Sequence, residues 1–175
     1  MFLSDRAVAR LSRISLLTAL CAAFTAPLAA QAAEQGQRFK DWTVGCDKLP
    51  GTTEERCFIY QTVATKDKDQ PILQMSVGYL PGDDGKDRPA AFMTLPLGIA
   101  LPPGIGFKVD EGKMARIQFE RCIPTGCVAG FPLTDEVLGQ FRKGIKMEVR
   151  FHDGVGIVAV PVSLSGFTAG FNSLK

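Results

Sequence analysis

The chain has 175 residues, 46% hydrophobic and 22% charged, with 20 basic and 18 acidic side chains and a formal net charge of +2. That balance places it with globular proteins and excludes a disordered polyelectrolyte. It has no basic patch or charge run, so nothing in its composition points to nucleic acid or an anionic membrane surface as a partner.

Residues 1–32 have the layout of a secretory signal peptide. Arg6, Arg10 and Arg13 form a basic start, and Ile14 to Phe24 is a short apolar run. Ala30-Gln31-Ala32 then offers small residues at the two positions a signal peptidase reads, which places cleavage after Ala32. The run is interrupted by Thr18, Thr25 and Pro27 and is shorter than the roughly 20 residues of a spanning helix. Leu17 to Leu20 lack the small residue that lipoprotein processing wants before Cys21. Three Arg and one Asp lie in this segment, so residues 33–175 keep 17 basic and 17 acidic side chains and no net charge. Those 143 residues fit one domain with a core of its own and no transmembrane helix.

Beyond residue 32 the chain is mostly short alternating runs. Trp42, Val44 and Cys46 share one face of a strand over 39–46, with Asp41, Thr43 and Gly45 opposite. Cys57 to Ala64 is rich in β-branched and aromatic residues. Leu73, Met75, Val77 and Tyr79 form one face of a strand over 72–79. Further strands are expected over 117–121, 146–151 and 157–164, with Asp153-Gly154 as a hairpin turn between the last two. A helix is expected after Thr134, an N-cap residue. Asp135 and Glu136 suit its positive end, Arg142 and Lys143 its negative end, and Gly144 stops it. Leu164, Phe167, Phe171 and Leu174 recur at helical spacing and mark a second helix that Gly166 and Gly170 weaken. The fold class that follows is mainly β: a single antiparallel, sandwich-like domain with one or two short helices.

Four cysteines remain after residue 32: Cys46, Cys57, Cys122 and Cys127. In an exported chain they are expected to form structural disulfides. Three connectivities are open. Hairpin proximity favours Cys46 with Cys57 and Cys122 with Cys127, since each pair brackets a turn-forming loop. Zinc is the competing reading, but His152 is the sole histidine, and neither pair has the usual two-residue spacing. No Cys-x-x-Cys opens a helix as a redox enzyme needs.

Two connections are candidate binding loops. The first is the solvated Gly82 to Arg88 segment. The second is Leu95 to Gly104, which is apolar yet broken by Pro and Gly and presents Leu97, Ile99 and Leu101. Proline confines it to an edge, bulge or turn. Packing over the sandwich is the favoured reading for this second loop, with ligand contact as the alternative.

Chemistry is harder to find. His152 sits beside Asp153 in the hairpin turn, and none of the serines lies in a Gly-x-Ser-x-Gly elbow. Gly104 to Phe107 lacks the rest of a phosphate-binding fingerprint. No catalytic, metal or cofactor motif stands out. An enzyme acting on envelope polymers would need carboxylates such as Asp110, Glu111 and Asp153 to converge.

Taken in order, several landmarks carry a resemblance. They are Phe39-Lys40-Asp41-Trp42-Thr43-Val44-Gly45-Cys46, Cys57, Leu95-Pro96-Leu97-Gly98, Phe107-Lys108-Val109-Asp110, Cys122 through Ala129, and Pro161 through Phe167. The set resembles the invasion-associated locus B proteins of alphaproteobacteria. The resemblance implies an exported β-sandwich-like domain acting at the cell envelope: periplasmic, outer-membrane-associated or secreted. In pathogenic members the family is linked to entry into host cells, notably erythrocytes, although many members come from free-living bacteria. The resemblance brings no catalytic residues, and the four cysteines match the family's positions. The function it implies is non-enzymatic binding of an envelope or host-surface component. A periplasmic enzyme or a chaperone-like envelope factor is the alternative.

Overall fold

The computed structural model describes residues 33–48, 53–65 and 70–175. The expected signal peptide lies outside the described residues. Among the described residues, period-two patterning becomes eleven strands: β1 (Arg38–Phe39), β2 (Trp42–Lys48), β3 (Glu55–Ala64), β4 (Pro71–Pro81), β5 (Asp87–Leu95), β6 (Ile105–Val109), β7 (Ala115–Ile117), β8 (Arg121–Ile123), β9 (Gly126–Pro132), β10 (Lys146–His152) and β11 (Ile157–Ser163). Two helices accompany them, α1 (Asp135–Lys143) between β9 and β10 and α2 (Phe167–Ser173) after β11.

The strands form two antiparallel sheets. The larger has the order β1-β2-β3-β4-β5-β9-β8, and the smaller has the order β11-β10-β6-β7. Their inner faces meet in one buried cluster. Trp42, Val44, Ile59, Leu73, Met75 and Met93 come from the large sheet, and Ile105, Phe107, Met147, Val149 and Val162 from the small one. This is the expected sandwich, with alternate residues of each strand turned inward. Both disulfides take the local pairing, Cys46 with Cys57 and Cys122 with Cys127. Strand register puts the first near the Asp87 end of β5 and the second near its Leu95 end.

Helix α1 begins as its sequence dictates. The Thr134 hydroxyl accepts from the Val137 N–H at 3.3 Å, and Leu138 and Phe141 are buried. The Gly144 N–H closes the helix on the Gln140 carbonyl. In α2, Phe167 and Phe171 are fully buried; Phe167 meets Trp42 and Phe141 edge-on, each with centroids 5.4 Å apart.

Three expectations need correction. The run over 117–121 is not one strand: β7 ends at Ile117 in the small sheet and β8 starts at Arg121 in the large one, so the chain changes sheets here. The first run breaks at Lys40, whose φ of 55° separates β1 from β2. His152 is not a turn residue; it is the half-buried last residue of β10, and the turn occupies 153–156.

Candidate functional site

The two candidate loops lie at opposite ends of β5, on the order of 30 Å apart for a nine-residue strand. They therefore cannot form one site. The Gly82 to Arg88 connection folds on itself. Gly82 N–H donates to the Lys86 carbonyl at 2.9 Å, and Asp84 accepts from Lys86 N–H and from the Arg88 guanidinium, the latter at 2.9 Å. Gly82 and Arg88 also line a shallow groove of about 260 Å³ beside Phe92 and Gly130. In the other loop Ile99 packs against the core, while Leu97 is 56% exposed and Leu101 is also exposed. This loop is thus partly packed and partly presented to solvent. Ala100 N–H donates to the His152 carbonyl at 2.9 Å, which ties the loop to the end of β10.

The outer face of the large sheet holds a second surface that no motif in the sequence marks. Cross-strand register places Gly45, Phe58, Gly78 and Ala90 in one row and Thr43, Tyr60, Ser76, Phe92 and Gly130 in the next. The aromatic rings lean over the glycines of neighbouring strands. A Cβ on Gly45 would lie 2.8 Å from the Phe58 ring, and one on Gly130 would lie 2.7 Å from the Phe92 ring. Phe58, Ser76, Gly78 and Phe92 floor a groove of about 490 Å³ with Lys48, Arg56 and Arg121 among its walls. That volume lies within the range of small-molecule sites. Arg56 is the anchored cation. It pairs with Asp87 at 2.7 Å and Glu54 at 2.9 Å, and the Asp87 hydrogen bond raises its pKa above the ordinary guanidinium value. The signal available in the sequence was the alternation of aromatic and small residues on the outward positions of β2 to β5.

The carboxylates named for an envelope hydrolase do not converge. Asp110 accepts from the N–H groups of Ile145 and Lys146, at the start of β10. Asp153 accepts from Val155 and Gly156 N–H, both at 2.8 Å, beyond the other end of the same strand. Backbone hydrogen bonds from Gly156 first and Val155 second hold the Asp153 pKa below the ordinary carboxylate value. Glu111 is exposed, with Lys108 3.9 Å away. Ser163 Oγ donates to Asp41 at 2.6 Å, but no histidine joins that pair; Gln61 does, exchanging hydrogen bonds with the Ser163 backbone. Trp42 Nε1 donates to the same Ser163 carbonyl at 3.0 Å. This network joins β2 and β3 to β11, so it seams the two sheets together. Among the described residues no group of three or more His, Cys, Asp or Glu side chains is placed to hold a metal ion, and no helix is long and apolar enough to cross a membrane.

Comparison with known proteins gives a consistent picture. The model of the family described as "Invasion associated locus B (IalB) protein" matches residues 42–175. Two relatives from Brucella abortus strains, each called an invasion protein B homolog, are 26% identical over 157 residues, covering 87% of this chain and 86% of theirs. The crystal structure of invasion associated protein B from Bartonella henselae superposes with a TM-score of 0.64 at 23% identity, covering 79% of this chain and 92% of that one. At that identity the likeness establishes the shared fold.

Proposed function

Because the chain belongs to the invasion associated locus B family, we propose that it is an exported, non-enzymatic protein of the cell envelope or surface that acts by binding. In a pathogen this binding contributes to contact with, and entry into, host cells. The disulfides support export, since such bridges persist in oxidising compartments. The names of the Brucella relatives, invasion protein B homologs, support the link to invasion.

The observation that carries the reading is the groove on the outer face of the large sheet. Its floor is aromatic, its rim carries Lys48, Arg56 and Arg121 together with Asp47, and a disulfide staples the sheet toward either end. Aromatic residues and Arg are the side chains most enriched where proteins recognise partners. A rigid sheet presents them with little entropy to lose. Gly82 and Arg88 extend this surface past Phe92. The ligand is an envelope or host-surface component that covers aromatic faces and meets the Lys48, Arg56 and Arg121 rim.

The test has two arms. Fractionation of the bacterium with N-terminal sequencing should find the chain starting near Ala33, outside the cytoplasm. A full-length chain in the cytoplasm overturns export. Binding to isolated envelope and to host-cell membranes is then compared for the native chain and for Phe92→Ser and Arg121→Glu, with circular dichroism as the folding control. Loss of binding in folded variants supports the groove. Undiminished binding to every fraction removes it.

A further inference from the structure

At the Leu95 end of β5, the fold assembles a feature that no linear motif announces. Arg150, Gly106 and Arg116 occupy one cross-strand row on the outer face of the small sheet. Neighbouring strands lie about 4.8 Å apart, so the two arginine Cα positions are about 10 Å apart with a glycine between them. Met114 folds over that glycine; a Cβ there would meet its sulfur at 3.1 Å. The result is a pocket of about 230 Å³. Its polar side chains are Arg116, Arg150 and His152, and no carboxylate lines it.

The donors are set for an anion. Glu148 takes the Nε and Nη2 side of Arg150, each at 2.6 Å, and leaves Nη1 for another acceptor. His152 accepts the Gly154 N–H on Nδ1 at 3.1 Å, so in the neutral ring Nε2 carries the hydrogen. Asp153, next to His152 in sequence, accepts backbone hydrogen bonds from its own turn, and its charge also faces His152. Paired guanidinium groups suit phosphate oxygens, which they bind through forked N–H groups.

Beside this pocket stand the most exposed aliphatic side chains of that end. Val155 is 95% exposed and Ile157 77% exposed. Ile157 also lines the pocket, and Leu97 stands on the adjoining loop. The loop and the hairpin lie side by side: the loop is tied to the end of β10 by the Ala100 to His152 hydrogen bond, and a Cβ on Gly154 would lie 3.7 Å from the Gly98 carbonyl. Val155 serves the turn through its backbone N–H, which donates to Asp153, but its side chain fills no core position. It sits between Gly154 and Gly156, where turn chemistry favours small or polar residues. An exposed aliphatic tip beside an anion pocket is the pattern of a surface that enters a lipid interface.

We propose that this end of the molecule docks on an anionic phospholipid bilayer. The lipid phosphate seats between Arg116 and Arg150, and Leu97, Val155 and Ile157 enter the acyl boundary. The attraction is local, because the chain beyond residue 32 has no net charge. It revises the expectation from sequence, which found no basic run to suggest such a surface. The site is separate from the aromatic groove, so either surface can fail without the other.

Co-sedimentation tests it. The disulfide-bonded chain is mixed with vesicles of pure phosphatidylcholine, or of phosphatidylcholine with phosphatidylglycerol. Partitioning should be at least about tenfold stronger onto the anionic vesicles. Val155→Asp with Ile157→Asp should abolish it without unfolding the chain, both side chains being exposed. Arg116→Glu should remove the preference for phosphatidylglycerol. Ile145→Asp is the control: Ile145 is 78% exposed but precedes the opposite end of β10, and its loss should change nothing. No sedimentation, equal sedimentation onto both vesicles, or full binding by the double variant overturns the proposal. The first of those outcomes would assign the exposed tip to a protein partner instead.

Discussion

At the scale of single residues, the strictest requirement falls on Gly166. Its φ of +89° is a conformation that side-chain-bearing residues rarely adopt, and a Cβ there would lie 1.9 Å from the Phe39 carbonyl oxygen. Gly166→Ala should therefore destabilise the fold by roughly 2–3 kcal/mol, read as a lower urea midpoint at unchanged slope. Gly139 gives the opposite sign. It sits inside α1, where an added methyl would meet nothing within 4 Å, so Gly139→Ala should stabilise by about 0.5–1 kcal/mol. Equal effects at the two glycines would refute this account of both. Asp153 predicts a pH effect whose sign is fixed by its lowered folded pKa. The unfolded carboxyl titrates near its ordinary value, about 3.9. The turn is therefore fully stabilised above that value and loses this contribution as pH falls through the lower folded pKa. A carboxyl NMR titration, followed alongside the Val155 and Gly156 amides, should show the midpoint below the unfolded one. A midpoint at or above it would contradict the hydrogen bonds that Asp153 accepts in its turn.

At the scale of elements, the disulfides act as staples of unequal reach. Cys46 and Cys57 are 11 residues apart in sequence, and Cys122 and Cys127 only 5 apart. Loop-closure entropy assigns each bridge about 2–3 kcal/mol and gives the longer loop the greater share. Paired Cys→Ser replacement should lower the thermal midpoint more at Cys46 and Cys57 than at Cys122 and Cys127; the reverse order would mean that native packing, not loop closure, sets their value. The same hairpins show why parts of the fold were legible. Where one face of a strand is polar, as with Lys146, Glu148 and Arg150 in β10, alternation reveals the element, and the Asp153-Gly154 turn then locates its partner β11. β5 shows the opposite case. Ala91, Met93 and Leu95 face the core, but Ala90 and Phe92 are apolar too, so the two faces read alike, and Pro89 argues against a strand. The run over 117–121 misled for another reason. Its residues suit a strand, but Gln118 to Glu120 carry the chain from the end of β7 in the small sheet to the start of β8 in the large one.

At the scale of the whole molecule, the two ends of the described chain form one clasp. Trp42 and Asp41, near the start, meet Ser163, Ser165 and Phe167, near the end. Both segments stood out in the sequence, yet their contact was invisible there, because pairing across more than 120 residues leaves no local trace. The cationic pocket was hidden in the same way. Arg116 and Arg150 are 34 positions apart and become neighbours only through Gly106 between them. The clasp makes a prediction about truncation. Phe167 and Phe171 are fully buried, and Phe167 packs against both Trp42 and Phe141. Removing a buried phenylalanine costs about 3–5 kcal/mol, and the net stability of a domain is only about 5–15 kcal/mol. Ending the chain at Ser165 removes both rings and bares Trp42. The shortened chain should lack the dispersed methyl resonances of a packed core even with both disulfides formed. If it instead keeps a cooperative unfolding transition, the sandwich closes without its C-terminal helix. In that case the hydrogen bonds of Asp41, Gln61 and Ser163 suffice to join the sheets.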